Sequence, residues 1–247
     1  MIGLVTDITE YKRAEAVLID SERRLRFLKD FDDSIHPLVE PQEILATVSH
    51  LLGSHLRASR CAYAEIDADG DHFTIAYDYI DGCASIVGDY SLSLFGSRAV
   101  GELREGRALV INDMDADMPS GESNDMFNAI GTKAVVCCPI VRQGKLQAMM
   151  AVHQTTVREW TPGEITLVEE VARRCWGIVQ RTRAEKVHKR VENELLLTKL
   201  AIDKSQIAFF RMGSRGQVAY VNDFACQHLG YTREELLGMS VWDFDPN

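Results

Sequence analysis

The sequence lacks the features that mark exported, membrane-spanning or metal-binding proteins. No apolar run approaches the roughly 20 residues that a membrane-spanning helix needs, and the first residues become charged too early for a signal peptide. The six cysteines form no C-x-x-C pair and no cysteine–histidine spacing of the zinc type. We therefore expect a cytoplasmic protein without structural disulfides, without membrane insertion and without a metal site.

The sequence also has fewer basic than acidic residues. Of its 247 residues, 37 are acidic and 27 are lysine or arginine, which gives a formal charge of -10. This balance provides no overall field that attracts a nucleic-acid backbone or an anionic bilayer. We expect neither as a partner. With 46% hydrophobic residues, the chain can form one large core and a smaller appendage.

Sequence motifs of known catalytic machinery are missing. The chain has no G-x-x-x-x-G-K-[ST], no G-x-S-x-G, no H-E-x-x-H and no glycine-rich dinucleotide fingerprint. Asp113, Asp115 and Asp117 alternate as cation ligands do, but the ordered glycine and closing glutamate of a calcium loop are absent. We interpret them as a solvated acidic loop and expect no catalytic residue in this chain.

Helical patterns occur in three places. An apolar seam near the start has the alternating three- and four-residue spacing of a short connector helix. The seam consists of Tyr11, Ala14, Leu18, Ser21, Leu25 and Leu28. Pro41 opens a second helix, predicted over residues 41 to 57. Thr161-Pro-Gly-Glu164 combines a cap, a first-turn proline and a capping glutamate, which predicts a long helix to about Lys204.

Period-two patterns predict two hairpins. The first joins residues 61 to 66 with residues 73 to 79 around Asp69-Gly70, and places Phe73, Ile75, Tyr77 and Tyr79 on one face. The second joins residues 133 to 141 with residues 145 to 155 around Gln143-Gly144. A further strand is predicted at residues 108 to 111.

Three of these segments carry a family resemblance. They are Gly131-Thr-Lys-Ala-Val-Val-Cys-Cys-Pro-Ile140, Arg142-Gln-Gly-Lys-Leu146, and Met150-Ala-Val-His153 followed by Arg158. Residues 25 to 185 thereby resemble a GAF domain of the phytochrome-related branch. The resemblance implies an α+β fold, in which an antiparallel sheet carries helices on one face and a pocket under residues 80 to 130 on the other. Long connector helices would lie on both sides of this domain.

Both ends of the chain resemble parts of PAS domains, through Gly3 to Glu15 at the start and through segments between Gln217 and Pro246 near the end. The resemblance divides the chain into a PAS end at 1–10, a connector helix at 11–30, a GAF domain at 31–182, a connector helix at 183–200 and the first half of a PAS domain at 201–247. It implies a non-catalytic sensory region of a sensor kinase or a cyclic-dinucleotide enzyme, with the output domain outside this sequence.

The resemblance also directs one face of the strand at 145 to 155 toward the pocket. Gln147, Met149, Ala151 and His153 alternate onto that face. The candidate ligand-binding residues are His153, Met149, Gln147, Tyr77, Phe95 and Asp113. The other interpretation of His153 is a hydrogen-bonded core histidine that contacts no ligand. The identity of the ligand stays open.

Two chromophore attachments are disfavoured by the sequence. Light-sensing relatives attach a bilin through a Cys-His pair before the glycine that Gly131 matches, where this chain has Glu122-Ser123. In the second PAS segment, Val241 stands at the position of a flavin-reactive cysteine. We expect neither a covalent bilin nor a flavin adduct.

The alternative function for this fold is thiol-dependent reduction of free methionine sulfoxide, which needs a reactive cysteine and a resolving partner in the pocket. The conceivable members are Cys83, Cys137 and Cys138. Adjacent residues on a strand point to opposite faces, so Cys137 and Cys138 cannot both reach one pocket.

The connector seam predicts a parallel homodimer, because an apolar helical stripe between domains needs cover and a second copy of the helix supplies it. Ala14 and Ser21 should make the association weak. The alternative is a monomer whose helices fold back on the sheet.

Overall fold

The computed structural model describes residues 9–118 and 125–244. Residues 1–8, which carry most of the expected first PAS segment, lie outside these ranges, as do Glu122 and Ser123. The chain divides into two compact units, Met1–Arg183 and Ala184–Asn247. Within the described ranges, no helix has both the length and the apolar content that are needed to cross a bilayer.

The first unit is built around one sheet. Its elements are α1 (Thr9–Ile35), α2 (Pro41–Leu56), β1 (Arg60–Ile66), β2 (His72–Ile80), β3 (Gly88–Ser91), a 3-10 helix (Leu92–Phe95), α3 (Ser97–Arg104), β4 (Leu109–Ile111), α4 (Met114–Asp117), α5 (Asp125–Ala129), β5 (Ala134–Arg142), β6 (Lys145–Gln154) and the first part of α6 (Pro162–Asp203). The six strands pair antiparallel in the order β3-β2-β1-β6-β5-β4. The expected α+β fold is confirmed.

One face of this sheet is covered by α1, α2 and α6. Their apolar sides meet the sheet in a single buried cluster that includes Phe31, Ile44, Leu52, Val136, Met150, Val168 and Val171. Full burial of side chains of this size contributes about 1.5 to 3 kcal/mol each relative to exposure. The expectation that the helices near residues 41 to 57 and 162 to 180 share one face of the sheet is confirmed.

The start of α6 follows the predicted capping box. The Glu164 amide donates to Thr161 Oγ1 at 3.3 Å, and the Thr161 amide donates to Glu164 Oε2 at 2.8 Å. Pro162 occupies the first helical position, where the amide proton it lacks would have no partner within the helix. The three residues therefore fix the start of a helix of 42 residues.

The opposite face of the sheet is covered by shorter elements. The segment from β3 to α5 packs on it in a second buried cluster, whose members include Phe73, Leu92, Phe95, Leu103, Phe127 and Met149. This arrangement confirms the expectation that residues between 80 and 130 cover this face of the sheet. The sheet therefore separates an all-helical side from a side covered by short segments.

The exposed part of the connector seam on α1 ends before Leu28. Leu18 and Leu25 are 61% and 64% exposed, but Leu28 is 5% exposed and packs in the helix-side cluster with Phe31. The inclusion of Leu28 in an intermolecular seam is wrong, because that side chain is part of the core of its own domain. The side chains of Tyr11 and Ala14 are not among those that the structure describes.

The second unit contains the rest of α6 and a small core. Its elements are β7 (Phe210–Met212), β8 (Val218–Val221), α7 (Asp223–Leu229), α8 (Arg233–Leu237) and α9 (Val241–Phe244). Asn222 is fully buried; its Nδ2 donates to the carbonyls of Ile202 and Ile207 at 2.8 and 2.9 Å. Thr232 and Glu235 form a capping box at the start of α8. The assignment of this unit to a PAS domain stays a prediction.

Candidate functional site

A small cavity lies on the face of the sheet opposite α1, α2 and α6. Its volume is about 50 Å³, which is room for a few water-sized groups. Ala62, Ala64 and Ala151 form part of its floor and leave space because each projects only a methyl group. Phe95 and Phe127 lie above them, with ring centroids 5.0 Å apart in an edge-to-face arrangement. The cavity is almost entirely apolar.

His153 supplies the polar end of this cavity. The ring is 5% exposed, and its Nδ1 lies 2.9 Å from the Oγ1 of Thr132, which is also buried. Burial and the positive charge of Arg60 lower the pKa of His153 to about 3. The imidazole is therefore neutral at neutral pH. A neutral ring has one donor and one acceptor nitrogen, so its second nitrogen is suited to one uncharged hydrogen bond with a ligand.

Arg60 lies opposite His153 in the pairing of β1 with β6 and is only 1% exposed. Its guanidinium donates to the Ala84 carbonyl from Nη2 and Nε at 2.6 and 3.1 Å. It also donates to the Ile130 carbonyl from Nη1 and Nη2, both at 3.1 Å. No described carboxylate pairs with it. Arg60 therefore joins the loop after β2 to the end of α5, two segments that flank the cavity.

Sequence reasoning missed Arg60 and Thr132, the partner of His153. The available signal was a charged residue at the head of an otherwise apolar strand, Arg60-Cys-Ala-Tyr-Ala. Such a residue is usually exposed, since lysine and arginine are rarely buried without partners. The two carbonyl partners of Arg60 are 24 and 70 residues away along the chain.

The structure brings together three of the six predicted ligand-binding residues. His153, Met149 and Phe95 line the cavity. Tyr77, Gln147 and Asp113 lie elsewhere, and each has an identifiable structural reason.

Gln147 is displaced from the cavity face by a break in the register of β6. The pairing with β5 passes from Ile140–Ala148 to Val141–Leu146 and skips Gln147. A one-residue shift exchanges the faces of a strand. Leu146 therefore joins Met149 in the cavity-side cluster. The expected alternation holds from Ala148 to His153 and is wrong for Leu146 and Gln147.

Tyr77 is displaced in the same way. The pairing of β1 with β2 passes from Tyr63–Tyr77 to Ala64–Ile75 and skips Ala76. Phe73 and Ile75 belong to the cavity side, whereas Tyr77 is paired with Tyr63, which packs in the helix-side cluster. The single face expected for Phe73 through Tyr79 is therefore wrong.

Asp113 caps a helix. Its side chain accepts a hydrogen bond from the Asp115 amide at 3.0 Å at the start of α4. Asp115 pairs with Lys133 at 2.9 Å, and Asp117 Oδ2 accepts from the amides of Asn112 and Asp113. Among the described residues no group of three or more acidic, histidine or cysteine side chains is arranged to hold a metal ion.

The cysteines near the cavity are buried thiols on opposite faces. Cys137 lines the cavity, and Cys138 packs in the helix-side cluster, as expected for neighbours on a strand. Burial raises the pKa of Cys137 to about 12 and also raises that of Cys138. The Cys83 thiol donates to the Ser59 carbonyl at 3.0 Å. A protonated thiol is a poor nucleophile.

Comparison with known proteins gives one family and a group of similar folds. The profile of the GAF domain family matches residues 40–179. A comparison with curated protein sequences gave no match.

Among similar solved structures is the phycocyanobilin-bound GAF domain from a cyanobacterial phytochrome, with 16% identity and a TM-score of 0.56 over 66% of this chain and 96% of that one. The GAF domain from a phosphoenolpyruvate-protein phosphotransferase of Coxiella burnetii has 15% identity and a TM-score of 0.55, over 67% and 98%. Free methionine-R-sulfoxide reductase from Neisseria meningitidis, in complex with its substrate, has 12% identity and a TM-score of 0.53, over 66% and 91%. At these identities the likeness shows a shared fold.

Proposed function

This chain belongs to the GAF domain family, and we propose that its cavity is the small-ligand site of a non-catalytic sensory region. The observation that carries the proposal is the small apolar cavity with neutral His153 at one end. Ligand sites commonly combine apolar walls with a few polar groups that fix orientation. The matching ligand is small and mostly apolar, with one uncharged hydrogen-bonding group.

The size of the cavity constrains how a ligand enters. Typical sites for small molecules occupy about 300 to 1,000 Å³, whereas this cavity measures about 50 Å³. A ligand of more than a few atoms therefore requires movement of the covering segment. Arg60 holds that segment at Ala84 and Ile130, so ligand entry would strain or break these hydrogen bonds.

The absence of catalysis is part of the proposal. Sulfoxide reduction needs a thiolate and a resolving thiol in one pocket. The thiol that lines the cavity, Cys137, has a pKa of about 12, and its neighbour Cys138 lies on the other face. One of the similar structures is such a reductase. For this chain the thiol environments favour binding over redox chemistry.

We further propose that the chain belongs to a cytoplasmic signalling protein of the PAS–GAF–PAS type, such as a sensor kinase or a cyclic-dinucleotide enzyme. Support comes from the connection between the cavity and α6. Ala64 lines the cavity, and the next residue, Glu65, accepts a hydrogen bond from Arg183 at 2.9 Å. A change in the position of β1 at the cavity would thus be transmitted to α6 at Arg183, the last residue of the first unit. No covalent bilin or flavin is part of this proposal.

Native mass spectrometry of the purified chain, together with its absorption spectrum, tests the ligand proposal. We expect a complex with a small molecule for the unmodified chain. Ala64→Leu should lose that complex, because the larger side chain fills the cavity floor. Ala76→Leu is the matched control, since Ala76 is exposed in β2. A ligand-free spectrum of the unmodified chain, or a ligand retained in Ala64→Leu, would count against the cavity as the binding site.

A further inference from the structure

A second, open groove lies on the helical side of the first unit. It runs between α1, the end of α2 and the start of α6 and has a volume of about 640 Å³. Its walls include five arginines, namely Arg23, Arg24, Arg26, Arg57 and Arg158. They face two lining carboxylates, Asp30 and Glu164. Glu170, which is outside the lining, pairs with Arg24, so five arginines stand against three carboxylates. The groove thus has an excess of two positive charges, in a chain whose formal charge is -10.

Two of the five arginines already have partners. Arg158 pairs with Glu164 at 2.6 Å and lies over the Trp160 ring, and Arg24 pairs with Glu170 at 2.5 Å. Arg23, Arg26 and Arg57 pair with no described carboxylate. His55 adds no charge at neutral pH, because burial lowers its pKa against the smaller opposing effect of Glu164.

The backbone around the groove reinforces its positive character. Gly163 lies in the first turn of α6 and lines the groove. The positive end of this helix dipole therefore meets the groove, where the capping carboxylate of Glu164 offsets part of it. Arg57 ends α2 in a left-handed conformation, with φ of 49° and ψ of 44°. Glycine is the usual residue there because a side chain is strained in that conformation. An arginine is therefore held at this position despite the strain.

We propose that this groove binds a small anion that carries two or more phosphate groups, of about the size of a nucleotide. The volume lies within the usual range of roughly 300 to 1,000 Å³ for small-molecule sites. Guanidinium groups donate two parallel hydrogen bonds to a phosphate, which makes arginine the matching side chain. The groove lies on the other face of the sheet from the apolar cavity. A bound anion would bridge α1 to α2 and α6 and so hold the connector helix on its domain.

Isothermal titration calorimetry of the full chain with inorganic pyrophosphate and tripolyphosphate, at low ionic strength, tests this site. We expect saturable binding that weakens as salt is added. Arg57→Gly should weaken it by about tenfold, since a charged hydrogen bond is lost, while glycine suits the left-handed backbone and keeps the fold. Arg23→Ala with Arg26→Ala should weaken it at least as much. Arg142→Ala is the matched control, because Arg142 is an exposed arginine of β5 outside the groove, and it should bind as the unmodified chain does.

Three outcomes would overturn the proposal. The first is no saturable binding of either probe. The second is equal affinity in Arg57→Gly, in the double variant and in Arg142→Ala. The third is displacement of pyrophosphate by a glutamate-rich peptide that binds more tightly than tripolyphosphate, which would assign the groove to an acidic protein segment. Failure of this site would leave the apolar cavity untouched, because the two share no lining residue.

Discussion

Replacing Arg60 with methionine should lower the free energy of unfolding by about 3 kcal/mol, because the charged hydrogen bonds to two backbone carbonyls are lost. The guanidinium is 1% exposed and binds the carbonyls of Ala84 and Ile130 through four contacts. A second measurement separates the electrostatic effect of Arg60 on His153 from its effect on stability. The positive charge of Arg60 helps to lower the pKa of His153, so this pKa should rise in the variant and still stay below its ordinary value, because burial remains. Chemical denaturation and a titration of the imidazole by NMR measure the two effects.

Arg104→Met is the control for Arg60. Arg104 also donates to a backbone carbonyl, that of Gly70 at 3.0 Å, but its side chain is 51% exposed. We expect a change within about 0.5 kcal/mol, as is usual for surface substitutions. Arg60→Lys should fall between the two, since an ammonium keeps the charge but cannot fork between two carbonyls. An Arg60→Met variant as stable as Arg104→Met would show that Arg60 does not hold the cover of the cavity.

Leu18→Glu together with Leu25→Glu should convert a dimer into a monomer. We propose that the chain is a parallel homodimer joined through its connector helices. Leu18 and Leu25 are seven residues apart on α1 and largely exposed, so they would meet their counterparts on a second copy. Glutamates there would place like charges against each other and remove the apolar contact. The same exposure means that the domain core should remain folded, which circular dichroism can verify.

The matched control is Leu94→Glu together with Val157→Glu. Both are apolar side chains of the first unit that are more than half exposed, and neither lies on α1. Sedimentation velocity should show this variant to be as dimeric as the unmodified chain. The helical dimer is wrong if the unmodified chain is monomeric at high micromolar concentration, or if the α1 variant still dimerises.

The sequence was most informative where local chemistry determines structure. Thr161 and Glu164 form the predicted capping box at the start of α6. Gln143 and Gly144 both have positive φ, at 52° and 71°, which confirms the predicted tight turn of the second hairpin. Such signals lie within a few residues of the feature that they determine.

The sequence was less informative where distant segments determine structure. Ala76 and Gln147 interrupt the pairing register of their strands, because each is an extra residue with no partner on the neighbouring strand. Neither break is visible in the alternation of a single strand, so the assignments of Tyr77 and Gln147 to the cavity were wrong. The burial of Arg60 depends on a carbonyl 70 residues away. The basic groove likewise assembles arginines from α1, from the end of α2 and from residue 158.

The most direct test of the ligand site uses two neighbouring methionines. Met149 lines the cavity, while Met150 follows it on β6 and packs in the helix-side cluster. We would label the methionine methyl groups with carbon-13 and add xenon, a small probe that enters dry apolar cavities. The account predicts a saturable shift of the Met149 methyl signal with little change at Met150. Unchanged Met149, or equal shifts of both methyl groups, would contradict it.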